Sequence, residues 1–380
     1  MTAPRAGTRR PADLAITWAQ ALAWRARRHL LDPVGDDRAD DVVRRLGAVP
    51  AASDDAAELA VRVRQRASEA GEVGQALADG RLVSTYAFRG ATHLLTPEDG
   101  GAYLALRRAG RMWERASWRE YYRLEPADWP DLRAVVRDAL ADGPLTRADL
   151  GDTVAAHDRF AHLRTSFGDG TDTLLKPLTW FGDMSLGPAR DGRTTFQRLD
   201  TNPRWVDWPD LDAAGRHAVL AYLGTYGPAT PGHVHYWLGQ GLGAGRARLD
   251  RWLSDLGDDA LVEVDVEGDH ALAPREHVDE LADTRPSSTV RLLPAFDQWV
   301  LGPGTADPRV VPPAHRGVVS RGAAVVTVGG TVAGTWALAG EDVRVAWFDD
   351  DGGAERDALA VAVARLGSVL GRDLRLVTDG

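Results

Sequence analysis

ADGRLVSTYAFRGATHLLTPED, residues 78–99, holds two β-rich runs, VSTYAF and THLL, on either side of Arg89 and Gly90. Valine, threonine and aromatic residues favour strands, and a glycine in a short connection favours chain reversal, so this stretch predicts a β-hairpin. FGDMSLGPARDGRTTFQRLD at 181–200 and LGDDALVEVDVEGDHALAP at 256–274 have the same form. Each hairpin follows amphipathic segments with helical spacing. Helices followed by a hairpin make the winged-helix plan, a relative of helix-turn-helix.

The repeated pattern predicts an α+β protein with three tandem winged-helix modules and a C-terminal β-rich, barrel-like domain. The tail contains GAAVVTVGGTVAGTWAL, which predicts a hairpin around Gly329 and Gly330, then the strand VRVAWF and a last helix, ALAVAVARLGSVL. The predicted boundaries are 12–128, with a long basic helix, 129–205, 206–284 and 285–380.

Composition narrows the functional classes. The 380 residues include no cysteine, which excludes disulfides and thiolate chemistry. No apolar run approaches the roughly 20 residues that span a bilayer, and the basic N-terminus lacks a signal-peptide core, so we expect a cytoplasmic protein without membrane contact. His233 and His235 have no acidic or cysteine partners at ligand spacing, so no metal or other cofactor is expected. Asp297 is expected to cap backbone amides rather than act in catalysis.

Charge is unevenly distributed along a chain whose net charge is −10. Residues 258–283, which include the third hairpin, carry a net charge of −9, so this hairpin would be repelled by phosphates. Residues 102–123 carry +4, and their arginines recur every three to four residues, which would place them along one side of a helix. Aromatic residues are interleaved with them, and these either stack on bases or face the core.

The basic helix and the predicted recognition elements supply the candidate DNA contacts. The first hairpin adds its turn, the second module adds the candidate recognition helix TDTLLKPLTWFGD, and the third adds GAGRARLDRWLSDLG. The candidates are Arg89, His93, Arg108, Arg111, Arg115, Arg119, Thr173, Lys176, Arg246 and Arg248.

Four phrases, in this order, resemble the AlkZ/YcaQ-type winged-helix superfamily, which includes DNA glycosylases for alkylated and crosslinked guanine. They are RGATHLLTPED (89–99), YGPATPGHVHYWLG (226–239), LLPAFDQWVLG (292–302) and VVPPAHRGVVSRGAAVVTVGGTVAGTW (310–336). The resemblance covers nearly the whole chain. It implies that the three winged helices form a concave surface for DNA, with a β-domain at the C-terminus.

The chain departs from the resemblance where chemistry is expected. Active members carry a Gln-apolar-Gln motif, or a close polar variant, just after a short helix ending in Leu-Gly. Here RLGAVPAASDD places Pro50, Ala51 and Ala52 at those positions. None of these side chains can orient a water for hydrolysis of an N-glycosidic bond. A register shift would bring Asp54 into play as a substitute acid.

Three hypotheses therefore stay open. The first is a monomeric protein that binds duplex DNA, alkylated or unmodified, without efficient base excision. The second is a DNA glycosylase that uses Asp54; it would be monofunctional, because Lys176 is the only lysine available for a Schiff base. The third is an interaction scaffold without DNA binding, which the acidic third hairpin favours.

Overall fold

The computed structural model describes residues 12–168, 173–349 and 356–377, and the fold is mixed α and β as predicted. The helices are α1 Trp18–Arg28, α2 Ala39–Leu46, α3 Asp54–Arg62, α4 Glu72–Ala78, α5 Pro97–Arg108, α6 Ala116–Tyr122, α7 Trp129–Ala139, α8 Arg147–Ala155, α9 Arg164–Gly168, α10 Leu175–Trp180, α11 Leu211–Tyr226, α12 Pro231–Val234, α13 Arg246–Ala260, α14 Val278–Asp283, α15 Gln298–Leu301, α16 Arg316–Ser320 and α17 Arg356–Leu370. The strands are β1 Leu14–Ile16, β2 Val49–Pro50, β3 Val83–Tyr86, β4 Thr92–Leu95, β5 Leu145–Thr146, β6 Met184–Arg190, β7 Arg193–Arg198, β8 Leu261–Val266, β9 Asp269–Pro274, β10 Val290–Leu293, β11 Val325–Val328, β12 Thr331–Ala339, β13 Asp342–Trp347 and β14 Arg375–Val377.

Helix starts follow local capping chemistry. Thr146 caps α8 by accepting from the backbone N–H of Asp149 at 3.2 Å, and Thr230 caps α12 by accepting from that of His233 at 3.3 Å. Each hydroxyl satisfies a backbone donor that the first turn of a helix leaves without a partner. Pro231 occupies the first turn of α12, where its missing N–H is harmless. Both helix starts follow a pattern that is visible in the sequence, a threonine three residues before the N–H that it caps.

All three predicted hairpins are present: β3–β4, β6–β7 and β8–β9 are the first, second and third hairpins. The first two do not stand alone, because Ser84 of β3 pairs with Leu186 of β6. They form one six-stranded sheet in the order β2-β4-β3-β6-β7-β5. Two short edge strands that the sequence did not predict, β2 and β5, complete this sheet.

The third hairpin pairs with the N-terminus of the chain instead. Strand β1 runs parallel to β8, with Ile16 opposite Val266. Helix α1 packs Trp18 and Trp24 against the apolar face of this hairpin. An adjoining side of α1 contributes Leu22 to a cluster with the C-terminal domain. Segments assigned to the first module thus contact the third hairpin and the tail, and the predicted domain boundaries remain a prediction.

The C-terminal domain is a five-stranded sheet, β10-β11-β12-β13-β14, that curls into a half-barrel. Its predicted hairpin is confirmed: Gly329 and Gly330 connect β11 to β12 with φ of 57° and 93°, a region where glycine lacks the strain of other residues. Helix α17 packs its apolar side on this sheet, with Leu359 and Val363 buried in the shared cluster. Among the described residues, no helix has both the length and the apolar character that membrane crossing requires.

The prediction of one long basic helix through residues 101–123 is wrong. Helix α5 ends at Arg108, a single 3-10 turn follows, and α6 begins at Ala116. Arg111 has φ of 42°, a left-handed conformation that no α-helix contains. The three-to-four-residue spacing of the arginines therefore does not place them along one side of a rod.

Candidate nucleic-acid interface

Residues 49–52, which we call the motif strand, lie along the outer edge of the first hairpin. Val49 pairs with Leu94, Pro50 pairs with His93, and the N–H of Ala51 donates to the carbonyl of Thr92 at 2.9 Å. Since alternate residues of a strand face the same neighbour, the nitrogen of Pro50 faces away from β4. A proline is tolerated here because an edge strand needs no donor on that side.

The side chains of the motif strand carry no chemical groups for catalysis. Pro50 and Ala51 are half-buried and Ala52 is exposed. Ser53 caps α3 by accepting from the backbone N–H of Ala56 at 3.3 Å. Asp54 is exposed in the first turn of α3, where a carboxylate is favoured by the helix dipole. This placement gives Asp54 a structural explanation, and its role as a substitute acid stays a prediction.

Leu46 and Gly47, which lead into the motif strand, contact two buried tyrosines. The hydroxyl of Tyr226 donates to the carbonyl of Leu46 at 2.8 Å. Gly47 has φ of 76°, and a Cβ there would lie 2.8 Å from the hydroxyl of Tyr103. That separation is too short for a larger residue, so glycine is required for this close approach. Helices α5 and α11 thereby fix the position of the motif strand.

His93 lies in β4, next to the motif strand, and its side chain is in the core rather than at the surface. Its side chain is 4% exposed, Nδ1 is 2.9 Å from the carbonyl of Ala91, and its ring packs on Phe88. Burial lowers the pKa of His93 to about 4, because desolvation disfavours the imidazolium. The prediction that His93 contacts DNA does not fit this position; its interactions indicate a structural role.

The buried His93 makes stability depend on pH. Between the ordinary value of 6.5 and about 4 the unfolded chain binds a proton that the folded protein does not, so the free energy of unfolding falls as the pH drops through this window. We expect His93→Gln to reduce that slope, which for one histidine is at most about 1.4 kcal/mol per pH unit. Urea unfolding from about pH 7 to about pH 4.5 measures it. His270→Gln is the matched control, because His270 is exposed; an equal effect of both substitutions would contradict the assignment.

Three of the six arginines of the predicted basic helix have carboxylate partners. The pairs are Arg111 with Glu114 at 2.6 Å, Arg119 with Glu125 at 3.1 Å and Arg108 with Asp207 at 3.8 Å. Arg115 is exposed. Trp113 and Tyr122, which were candidates for base stacking, are buried in the main core, whereas Tyr121 is 69% exposed. The alternative that these aromatic residues face the core therefore holds for Trp113 and Tyr122.

A different group of basic residues converges at the tip of the first hairpin. Each of these cations lies over an aromatic ring: Arg89 over Tyr236 at 4.4 Å, Arg107 over Trp180 at 4.6 Å and Lys176 over Tyr86 at 5.3 Å. We call Arg89, Arg107 and Lys176 the cation cluster. Within the described residues, no carboxylate lies within 4.0 Å of the guanidinium of Arg89 or of Arg107. These two arginines keep their full charge for another ligand.

Two glycines lie in contact distance of the Arg107 guanidinium. A Cβ on Gly90 would lie 3.6 Å from Nζ of Lys176 and 3.7 Å from Nη2 of Arg107, and a Cβ on Gly243 would lie 3.7 Å from Nη1 of Arg107. Both glycines have positive φ, at 72° and 77°. Burial lowers the pKa of Arg107, and its Nε is enclosed without a hydrogen-bond partner. The guanidinium is thus partly stripped of water between two backbone turns.

The remaining candidates are dispersed around this cluster. Thr173 lies just before α10, and Lys176 is in its first turn. Arg246 is 82% exposed and 3.9 Å from Asp250, and Arg248 donates to the carbonyl of Ala244 at 3.1 Å. Of the predicted candidates, Arg89 and Lys176 therefore lie at the tip of the first hairpin, beside Gly90.

The two histidines considered for metal binding have acidic neighbours instead. Nε2 of His235 is 2.9 Å from Asp250, and Nε2 of His233 is 3.5 Å from Asp307. Within the part of the chain that the structure describes, no three histidine, aspartate or glutamate side chains are placed to share a metal ion.

The family is decided by comparison with known proteins. A family model described as DNA glycosylase AlkZ-like matches residues 43–369. The chain belongs to the AlkZ-like DNA glycosylase family. An interstrand DNA cross-link repair glycosylase of Streptomyces sahachiroi is 38% identical over 341 residues, covering 88% of this chain and 91% of that protein. The solved structure of Streptomyces sahachiroi DNA glycosylase AlkZ superposes with a TM-score of 0.90 at 35% identity, covering 96% of this chain and all of that one.

This AlkZ-like chain contains candidate interface residues that the sequence patterns did not single out. Arg107 belongs to the basic segment, residues 102–123, but the helical spacing of its arginines favours Arg108 and Arg111 as DNA contacts. Its aromatic neighbour Trp180 comes from a distant segment, as does Tyr236 beside Arg89. The one local signal for this arrangement is Gly110, because a glycine is typical of the end of a helix and α5 ends at Arg108.

Proposed function

We propose that the protein binds duplex DNA as an AlkZ-like family member, without efficient base excision. Three winged-helix modules would form the concave surface for the duplex, with the cation cluster at the tip of the first hairpin. The observation that carries the proposal is the motif strand. It pairs with β4 of the first hairpin and holds Pro50, Ala51 and Ala52 where the resemblance implies Gln-apolar-Gln.

The chemistry explains why these residues matter. Hydrolysis of an N-glycosidic bond needs a group that orients the attacking water and stabilises positive charge on the sugar. A pyrrolidine ring and two methyl groups can do neither. Removing a group of this kind typically slows a reaction by about 10²–10⁴-fold. The fold is similar to that of a solved AlkZ structure, which supports DNA binding in a chain that lacks these amides.

A monofunctional DNA glycosylase is the second candidate. Its support is that Asp54 is exposed only two residues beyond Ala52, and that a relative is described as an interstrand DNA cross-link repair glycosylase. Under this alternative an N7-alkylguanine lesion or crosslink would be the substrate, and Asp54 would activate the water.

Two assays on one preparation test the proposal. We expect fluorescence anisotropy to detect binding to a short duplex, with an affinity that falls steeply as salt rises, because bound arginines release counterions from the phosphates. We expect little release of base from duplex containing N7-methylguanine in single-turnover assays. An active AlkZ-like glycosylase, run on the same substrate, is the positive control.

The outcomes separate the hypotheses. Fast release of N7-methylguanine that is lost in Asp54→Asn but kept in Asp55→Asn would establish the glycosylase alternative; Asp55 is the matched control because it is also exposed in the first turn of α3. Absence of duplex binding even at low salt would reject DNA binding and favour an interaction scaffold.

A further inference from the structure

Arg107 stands apart from the other arginines near the first hairpin. Arg108, one residue later, has Asp207 as a partner, and Arg111 has Glu114. Arg107 has Trp180 beneath it and no carboxylate within 4.0 Å in the described part of the chain. A partly buried cation without a counter-charge loses hydration and gains no ion pair in return. Such an arrangement is unfavourable for the protein alone and becomes favourable when an anion binds.

The geometry around Gly90 defines where that anion would lie. Nη2 of Arg107 and Nζ of Lys176 lie 3.7 Å and 3.6 Å from the point where a Cβ of Gly90 would be. The two nitrogens therefore approach the same point beside Gly90, where one phosphate group could contact both. The glycine leaves this space open, and its φ of 72° turns the hairpin tip toward α5 and α10. Phe88, before the tip, stacks on Trp237 at 4.0 Å and holds the tip in place.

We propose that Arg107 and Lys176, at Gly90, bind one phosphate group of the DNA backbone. This inference rests on the proposed function and specifies the contact that it leaves open. Arginine suits the role because its planar fork can donate two hydrogen bonds to phosphate oxygens while it remains stacked on Trp180. Arg89, next to Gly90 in the chain, adds charge on the side of Tyr236.

The site would fix the duplex relative to the motif strand. Ala51 donates to Thr92, two residues beyond Gly90 on the same hairpin. A phosphate bound at the tip of this hairpin therefore places the neighbouring nucleotides beside residues 50–52. Phosphate contacts set position and orientation without reading the base sequence. All three predicted modules contribute to this site. The first supplies Arg107 and the hairpin tip, the second supplies α10, and the third supplies the loop at Gly243.

The test uses anisotropy titrations of duplex DNA at several salt concentrations. We expect Arg107→Gln to weaken binding about tenfold for every duplex sequence, and to reduce the slope of log affinity against log salt by about one unit. Arg107→Lys keeps the charge and should recover part of the affinity and most of the slope. Arg344→Gln removes the same charge from an exposed position on β13 and should change neither quantity.

A glycine pair tests the space independently of charge. Gly90→Ala places a methyl group 3.6–3.7 Å from both nitrogens and should weaken DNA binding several-fold. Gly340→Ala is its matched control, because φ there is 64° and nothing lies within 4 Å of the added methyl. Both glycines have positive φ, so the two substitutions introduce similar backbone strain. Only Gly90→Ala adds a methyl group at the proposed phosphate site, so only this variant should bind DNA more weakly. Melting temperatures show that the two variants fold alike.

The outcomes distinguish this inference from the proposed function. If the wild type binds duplex and Arg107→Gln binds with the same affinity and salt slope, the phosphate site is overturned and DNA binding stands. If the wild type binds no duplex, its melting temperature is measured in inorganic phosphate and in potassium chloride of equal ionic strength. The difference between the two shows whether phosphate binds. Stabilisation of the wild type but not of Arg107→Gln would then support an anion site in a protein that does not bind DNA. No stabilisation would overturn both proposals.

Discussion

Replacing Pro50 and Ala52 together by glutamine should raise release of N7-methylguanine from duplex DNA by at least about 100-fold. Pro50 ends β2 and Ala52 is exposed two residues later, and neither packs against the cluster of α2, α3 and α4 as Ala51 does. The backbone should accept the change, because the nitrogen of Pro50 faces away from β4 and a new N–H there would meet solvent. Single-turnover release of the modified base measures the gain.

The same strand provides a control for this gain of activity. Ala51→Gln introduces an identical amide, but residue 51 points to the opposite face of the strand, against the cluster of α2, α3 and α4. It should leave base release at the wild-type rate. A double variant that folds with an unchanged melting temperature, binds DNA and still fails to release base would contradict the proposal that the motif positions limit excision.

Asp297→Asn should lower the free energy of unfolding by about 3–5 kcal/mol, the loss typical of breaking one partner of a buried ion pair. Oδ1 and Oδ2 of Asp297 accept from Nη2 and Nη1 of Arg64 at 2.6 Å and 2.9 Å, and both side chains are 0% exposed. Asparagine cannot match the charge, so Arg64 would remain buried without its counter-ion. Oδ1 also caps α15 by accepting from the N–H of Trp299 at 2.7 Å. Guanidinium unfolding measures the loss.

The matched control is Asp342→Asn in the same domain. Asp342 accepts from Arg375 at 2.9 Å, but its side chain is 32% exposed and that of Arg375 is 70% exposed. Solvent screens such a pair, so the expected change is below about 1 kcal/mol. Equal losses from both substitutions would show that the buried pair contributes no more than an exposed one. The capping role predicted for Asp297 is confirmed, because Oδ1 accepts from the N–H of Trp299. The sequence did not predict its second role, the buried ion pair that links the C-terminal domain to Arg64.

Local features were predictable because neighbouring residues decide them. Valine and threonine runs on either side of a glycine turn form hairpins wherever they occur, so the pairs around Gly90 and Gly329 were found. The caps at Thr146 and Thr230 depend on one hydroxyl and a backbone N–H three residues later. Family phrases such as LLPAFDQWVLG located the family, which the comparisons confirm.

Contacts between distant segments were not predictable in the same way. The sequence contains no signal that β3 pairs with β6, or that β1 pairs with β8. The helical spacing of arginines pointed to residues 108–119, but the left-handed turn at Arg111 interrupts the helix. Pairing with Glu114 and Glu125 then neutralises two of those cations. His93 looked accessible in a hairpin, yet packing buries it.

The sequence by itself determined the hairpins, the α+β class and the family, because each depends on residue identity or on short-range backbone preference. Tertiary structure alone decided which cations remain without a counter-charge. Arg107 and Arg108 are chemically identical and adjacent, and one packs on Trp180 at 4.6 Å while the other lies near Asp207. Electrostatic interaction depends on distance through space, and only folding brings α5, α10 and the tip of the first hairpin together.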